Sequence, residues 1–119
     1  MIIAVDFDGT VVDHRYPLIG KDAPYAVEVL KQLIVAEHKL ILFTMRSGLY
    51  LDDAVRWFKH KEIALWGIQY NPEQSTWSQS NKCYANLYID DAAFGCPVIY
   101  PPDFARPCVD WQKVRAVLL

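Results

Sequence analysis

The chain opens on Met1, Ile2, Ile3, Ala4 and Val5, an unbroken apolar run that stops at Asp6. A short run of this kind, bounded by acidic residues and Gly9, has the pattern of a strand buried on both faces and feeding a loop at its carboxyl end. Leu40 to Phe43 repeats the pattern and stops at Thr44, and Leu87 to Ile89 repeats it before Asp90 and Asp91. Between these runs the period changes. Val27, Leu30, Leu33 and Ile34 recur at helical spacing behind Asp22 as the cap and Pro24 near the first turn. Leu51, Ala54, Val55 and Phe58 do the same behind Ser47 and Gly48. Ile63 to Tyr70 is expected to include a third strand, Val98 to Tyr100 a fifth strand ahead of Pro101 and Pro102, and Val109 to Leu118 a closing helix. Val11 to Gly20 reads as a turn or short hairpin, and the polar stretch Asn71 to Asn81 as a loop.

Strands alternating with helices predict an α/β fold with a parallel sheet, reached through right-handed crossovers and covered on both faces. Ligands of such sheets bind beyond the carboxyl ends of the strands. Three predicted strand ends carry the most chemically suggestive residues of the chain: Asp6 and Asp8, Thr44, then Asp90 and Asp91.

Composition narrows the picture. With 119 residues, 53% of them apolar, the chain has room for one domain spanning residues 1–119 and one core. Twelve basic against fourteen acidic residues leave a formal charge of -2, so nothing indicates nucleic acid as a partner. Cys83, Cys96 and Cys108 have no CxxC spacing and cannot all pair, which points to reduced thiols in a cytoplasmic protein rather than a disulfide framework or a zinc knuckle. The apolar opening is far too short for a signal peptide or a membrane span.

In an extended segment, residues two apart share a side, so Asp6 and Asp8 are expected to face one site while Phe7 turns inward. Carboxylates about 5 Å apart repel by roughly 3 kcal/mol at an effective dielectric of 20, and a cation should compensate. Asp90 and Asp91 add hard oxygen ligands, and with no suitably spaced His or Cys the set selects Mg²⁺. A carboxylate can attack phosphorus to give an aspartyl-phosphate, and Asp6 is the natural nucleophile. Asp8 is the candidate general acid/base. Gly9 would let the backbone approach a phosphate and Thr10 would steady the loop. Thr44 would offer its hydroxyl and backbone N–H to phosphoryl oxygens, and Lys82 a balancing charge. Each signal is weak alone. The string Asp6-Phe7-Asp8-Gly9-Thr10 directly after an apolar strand is much more specific.

At these residues the chain resembles the haloacid dehalogenase superfamily of hydrolases, marked by DxDGT after the first strand, Thr or Ser after the second, a Lys, and a late acidic pair. The match runs from Asp6 to Asp91. The resemblance implies a three-layer α/β/α sandwich with a mainly parallel, Rossmann-like sheet, and a Mg²⁺-dependent phosphomonoesterase. It implies Asp6 as nucleophile and Asp8 as acid/base. Asp6, the Asp8 backbone carbonyl and Asp90 would hold Mg²⁺ with Asp91 beside them, and Thr44 and Lys82 would bind phosphate. Dehalogenase members lack the second aspartate and phosphate-transfer pumps carry Thr there, so Asp8 favours a phosphatase. Both intervals where members insert a cap are short here, which implies a capless enzyme. Such enzymes act on bulky phosphorylated substrates or borrow a lid from a neighbouring subunit of a homo-oligomer.

Arg46, two residues after Thr44, is the candidate for substrate contact, set against an ordinary structural arginine; His14 is a weaker one. Trp57, Trp66, Trp77 and Trp111 read as core or interface residues. A receiver domain that accepts phosphate as a signalling switch shares the length and the residue types, but carries its acidic pair early and its phosphoacceptor in mid-chain. A catalytically silent binding module is the other alternative, although every matched position keeps a competent residue.

Overall fold

The computed structural model describes all 119 residues. Strand β1 (Ile2–Val5) lies between β2 (Lys39–Leu42) and β4 (Leu87–Ile89), and β3 (Gly67–Ile68) flanks β2. All three pairings are parallel, with Ala4 opposite Ile41 on one side and Tyr88 on the other. Helix α1 (Ala26–Val35) connects β1 to β2, and α2 (Gly48–His60) connects β2 to β3. These steps move in one direction across the sheet, so the right-handed rule puts both helices on one face. Ile3, Val5, Leu40, Leu42 and Ile89 meet Leu30, Leu33, Ala54, Phe58 and Val114 there in a single apolar cluster. The last of these belongs to α3 (Trp111–Leu118), so all three helices share this face.

The opposite face differs from the predicted helical layer. The return from β3 to β4 runs back across the sheet, and residues 69–86 cover it with a loop holding one 3-10 turn at Gln74–Thr76. Gly67 makes this close fit possible: a Cβ there would lie 2.4 Å from the Tyr70 carbonyl and 3.1 Å from Pro72. A polar stretch this rich in Ser and Gln has no apolar stripe from which to build a packed helix, so its buried Asn71 and Gln74 bond the loop's own backbone instead.

The carboxyl-terminal region also departs from expectation. Val98 to Tyr100 does not join the main sheet. Strand β5 (Val98–Ile99) pairs antiparallel with β6 (Cys108–Val109) in a separate ribbon, and the last helix starts at Trp111 rather than Val109. Pro101 and Pro102, which cannot donate to a ladder, turn the chain back on itself. Asp110 caps α3 by accepting the Lys113 N–H at 3.1 Å. Asp22, the predicted cap of α1, instead lies before a left-handed turn at Tyr25, and its carboxylate accepts from Trp57 Nε1 at 3.0 Å and pairs with Lys61. The three cysteines are unpaired. Trp57 and Trp111 are in the core, whereas Trp77 is exposed. No helix is long and apolar enough to cross a membrane.

Candidate active site

The loop after β1 stays tied to its neighbours while it turns. The Asp6 N–H donates to the Ile89 carbonyl at 3.0 Å, extending the β1–β4 pairing by one residue. Phe7 points inward as predicted, fully buried against the rings of Trp57 and Phe58. Its truncation to Ala would cost about 3–5 kcal/mol, so this ring anchors the two aspartates beside it. The N–H groups of Thr10 and Val11 both reach the Phe7 carbonyl at 3.0 Å, closing a tight turn. Gly9 sits in that turn with φ 82°, and a Cβ on it would lie 2.7 Å from the Asp91 carboxylate. Thr10 is fully buried: its hydroxyl donates to Asp91 Oδ1 at 3.1 Å and accepts from the Asp91 N–H at 3.2 Å. Its carbonyl accepts from Trp111 Nε1 at 2.8 Å, which fastens α3 to the back of the site.

Asp6, Asp90 and Asp91 each turn a carboxylate oxygen into one ring whose atoms lie within 4.8 Å of one another. None of the three pairs with a basic side chain. At that separation two charges repel by roughly 3 kcal/mol at an effective dielectric of 20. Burial pushes the Asp6 carboxyl up most strongly; the Phe7 N–H opposes it, and the charges of Asp90, Asp91 and Asp8 add to the rise, carrying the pKa from 3.8 to about 7. Asp91 is raised as well, by burial first and then by Asp90, against the stabilising Thr10 hydroxyl. The ring is a set of hard oxygen donors short of positive charge, which is the donor chemistry that a hard divalent cation takes.

Asp8 stands apart from this ring. Arg46, only 1% exposed, forks onto it: Nε–H donates to Asp8 Oδ2 and an Nη2–H to Asp8 Oδ1, both at 2.8 Å. The other donors reach the carbonyls of Pro17 at 3.2 Å, Tyr50 at 3.2 Å and Leu18 at 2.9 Å. All five N–H donors of the guanidinium are thereby used. The expectation that Arg46 contacts substrate is corrected by this geometry, because the side chain has no donor to spare and packs beside the rings of Phe7 and Tyr16. The buried arginine also explains why Asp8 contributes no oxygen to the acidic ring.

Thr44 reaches the site from the end of β2. Its backbone N–H is already bound to Gln69 Oε1 at 2.8 Å, which removes it as the phosphoryl donor expected from sequence. Its hydroxyl oxygen accepts the Arg46 N–H at 3.1 Å and keeps its proton free to donate. Gln69, a left-handed residue at φ 65°, closes this arrangement by donating to the Thr44 carbonyl at 2.7 Å. A cleft of about 400 Å³ opens over Asp6, Asp8, Thr44, Asp90 and Asp91, with His14 and Arg106 on its walls. A neighbouring hollow of about 350 Å³ continues it toward Tyr16 and Arg46. Lys82 is not on these walls; its Nζ stands 5.7 Å over the Tyr88 ring, and Tyr88 in turn packs on Phe43 at the cleft edge. Arg106 carries no ion pair and comes from the β5–β6 loop, where nothing in the local sequence marks it.

No protein-family model matches the chain, and no curated protein matches it. Among solved structures, a conserved protein coded by a locus of Bacteroides thetaiotaomicron is similar, with 39% identity and a TM-score of 0.81 over 99% of this chain and 88% of that one. The chain belongs to the family of that protein. The likeness takes in the acidic loop, the flap formed by Val11 to Gly20 and the β5–β6 ribbon together, since it leaves almost none of this chain uncovered.

Proposed function

We propose that this protein is a Mg²⁺-dependent phosphomonoesterase of the haloacid dehalogenase type that works through an aspartyl-phosphate on Asp6. The observation that carries the reading is the division of labour between two aspartates two residues apart. Asp6 shares an uncompensated oxygen ring with Asp90 and Asp91, whereas Asp8 is held out of that ring by Arg46. A carboxylate in a ring that a cation would complete is ionised once the ion is bound and can attack, whereas one outside that ring is left to exchange a proton. The parallel sheet with acidic residues at its strand ends supports this reading, although a loop over residues 69–86 stands where the sandwich would carry its second helical layer.

The ring of Asp6, Asp90 and Asp91, with the Asp8 carbonyl, would hold the ion. Bound there, Mg²⁺ would offset the repulsion among the carboxylates and polarise the phosphoryl oxygens. One Asp6 oxygen attacks phosphorus in line, and Asp8, which must enter this step protonated, gives that proton to the departing alkoxide and returns to the anion that Arg46 holds. Asp8 then takes a proton from the water that attacks phosphorus, and the P–O bond to Asp6 breaks, releasing phosphate. The Thr44 hydroxyl donates to the transferring group, while Arg106 and His14 face it from the cleft walls. Lys82 adds its charge if its side chain leaves the Tyr88 ring. The short flap leaves the cleft open, which suits a bulky phosphorylated substrate or a lid from a second subunit.

The test is phosphate release from an aryl phosphate by the purified protein with Mg²⁺, with chelator, and with Asp6→Asn. Release that requires Mg²⁺ and falls at least about 1,000-fold in Asp6→Asn is expected. Equal rates in the two proteins would sink the nucleophile assignment. Failure of the wild type on a panel of phosphomonoesters would favour a binding module.

A further inference from the structure

We infer that Arg106 and the wall that carries it form an anion subsite, so that the preferred substrate is a phosphomonoester whose leaving group bears a second phosphate or carboxylate; the inference deepens the phosphatase reading above and rests on it. The other arginine and lysine side chains around the flap are already committed. Arg46 is taken by Asp8, Arg15 by Asp13 and Lys21 by Asp103. Arg106 lines the cleft together with Asp90 and Asp91 and pairs with neither.

The backbone beneath Arg106 is fixed from two sides. Asp13, 1% exposed, accepts the Ala105 N–H with both carboxylate oxygens, at 3.0 and 2.9 Å, and takes the Arg15 Nε–H at 2.8 Å. Burying a carboxylate is costly unless its oxygens are satisfied, and here satisfying them fixes the residue next to Arg106. Lys21 Nζ meets Asp103 at 2.6 Å, and the Val109 N–H reaches the Gly9 carbonyl at 3.3 Å. The β5–β6 loop is thereby tied to the flap and to the acidic loop at once. In-line displacement sets the departing oxygen opposite Asp6, toward the mouth of the cleft. Arg106 is exposed at that mouth, whereas Asp6 lies deeper, at the floor. The acidic ring repels any anion placed there, so a leaving group with a second anion needs a cation outside the ring. A planar guanidinium fork suits the oxygens of a phosphate or carboxylate.

The test compares two anion-bearing series, α,ω-alkanediol bisphosphates and phosphate esters of ω-hydroxyalkanoates, with alkanediol monophosphates of the same chain length at fixed free Mg²⁺. In wild type, kcat/KM at the best length should be about 10- to 100-fold higher for an anion-bearing ester than for its neutral-ended counterpart. Which series leads separates phosphate from carboxylate. Arg106→Gln should bring that preference close to unity, and Arg106→Glu should push it below one; the exposed position lets both variants fold. No preference in wild type at any length, or a preference that survives Arg106→Gln, would overturn the proposal. If wild type hydrolyses none of these esters and no aryl phosphate, the phosphatase reading fails, and calorimetry decides the subsite with Mg²⁺ and alkane diphosphonates, which cannot be hydrolysed. Tighter binding than that of alkylphosphonates of equal length, lost in Arg106→Gln, would support the subsite. Equal binding of the two would overturn it.

Discussion

Asp6 and Asp8 leave the same strand two residues apart, and the fold gives them opposite surroundings. Asp6 is largely buried and meets two further carboxylates and no cation, so burial first and like charge second disfavour its charged form and its pKa rises to about 7. Asp8 meets a buried guanidinium that satisfies both of its oxygens. The difference teaches that a role in such a pair belongs to the neighbour rather than to the residue type. The oxygen ring could hold a metal ion, whereas the carboxylate of Asp8 is fixed by its arginine.

The sharpest way to break this comparison is to remove each carboxylate in turn and follow stability. Asp8→Ala strands a buried arginine without its counterion and should cost about 3–5 kcal/mol in thermal or urea unfolding. A loss below about 1 kcal/mol would mean the pair is as weak as a surface one. Asp6→Asn should act in the opposite direction. The Asp6 carboxyl stays neutral in the fold up to about pH 7 but ionises from about pH 3.8 when unfolded. The unfolded state therefore holds fewer protons between these values, and wild type loses stability as pH rises through that window, levelling off above it. In chelator at pH 8, Asp6→Asn should be more stable than wild type by about 2–4 kcal/mol, with the gap closing toward pH 4. Added Mg²⁺ should stabilise wild type and not the variant. A variant less stable than wild type in chelator would show that the ring is not electrostatically strained.

Gly9→Ala tests how closely the ring is packed. The new Cβ would meet the Asp91 carboxylate at 2.7 Å in a left-handed backbone, so a loss of about 2 kcal/mol and weaker Mg²⁺ binding are expected from calorimetry. Unchanged Mg²⁺ affinity would remove Asp91 from the ion's surroundings. The smallest effect is expected from Lys82→Ala, about 3- to 10-fold in kcat/KM, because the ammonium rests on Tyr88 outside the cleft. A loss beyond about 100-fold would mean that it swings inward during turnover.

The parts legible in the sequence were those governed by local pattern. Apolar runs marked β1, β2 and β4, and a parallel sheet necessarily gathers their ends, so Asp6, Thr44, Asp90 and Asp91 meet as expected. What stayed hidden depends on contacts distant in sequence. Arg46 pairs with a residue 38 positions away, and nothing in its neighbourhood distinguishes a clamp from a substrate contact. Gln69 acts through a left-handed backbone and a bond to Thr44 that span two strands. Arg106 lies in the turn through which β6 folds back antiparallel onto β5, a course that the short run Val98 to Tyr100 does not reveal. The loop layer over residues 69–86 follows the same logic, since its polar character forecast a loop but not that the loop alone would cover a sheet face.

The central claim is that Asp6 carries the phosphoryl group, and the most direct measurement traps it there. Wild-type protein turning over a phosphomonoester with Mg²⁺ is quenched and reduced with borohydride, which converts an aspartyl-phosphate to homoserine, and the peptides are sequenced by mass spectrometry. Homoserine is expected at position 6, dependent on Mg²⁺ and substrate. Steady phosphate release with position 6 unmodified, or with the label at Asp8, Asp90 or Asp91, would contradict it.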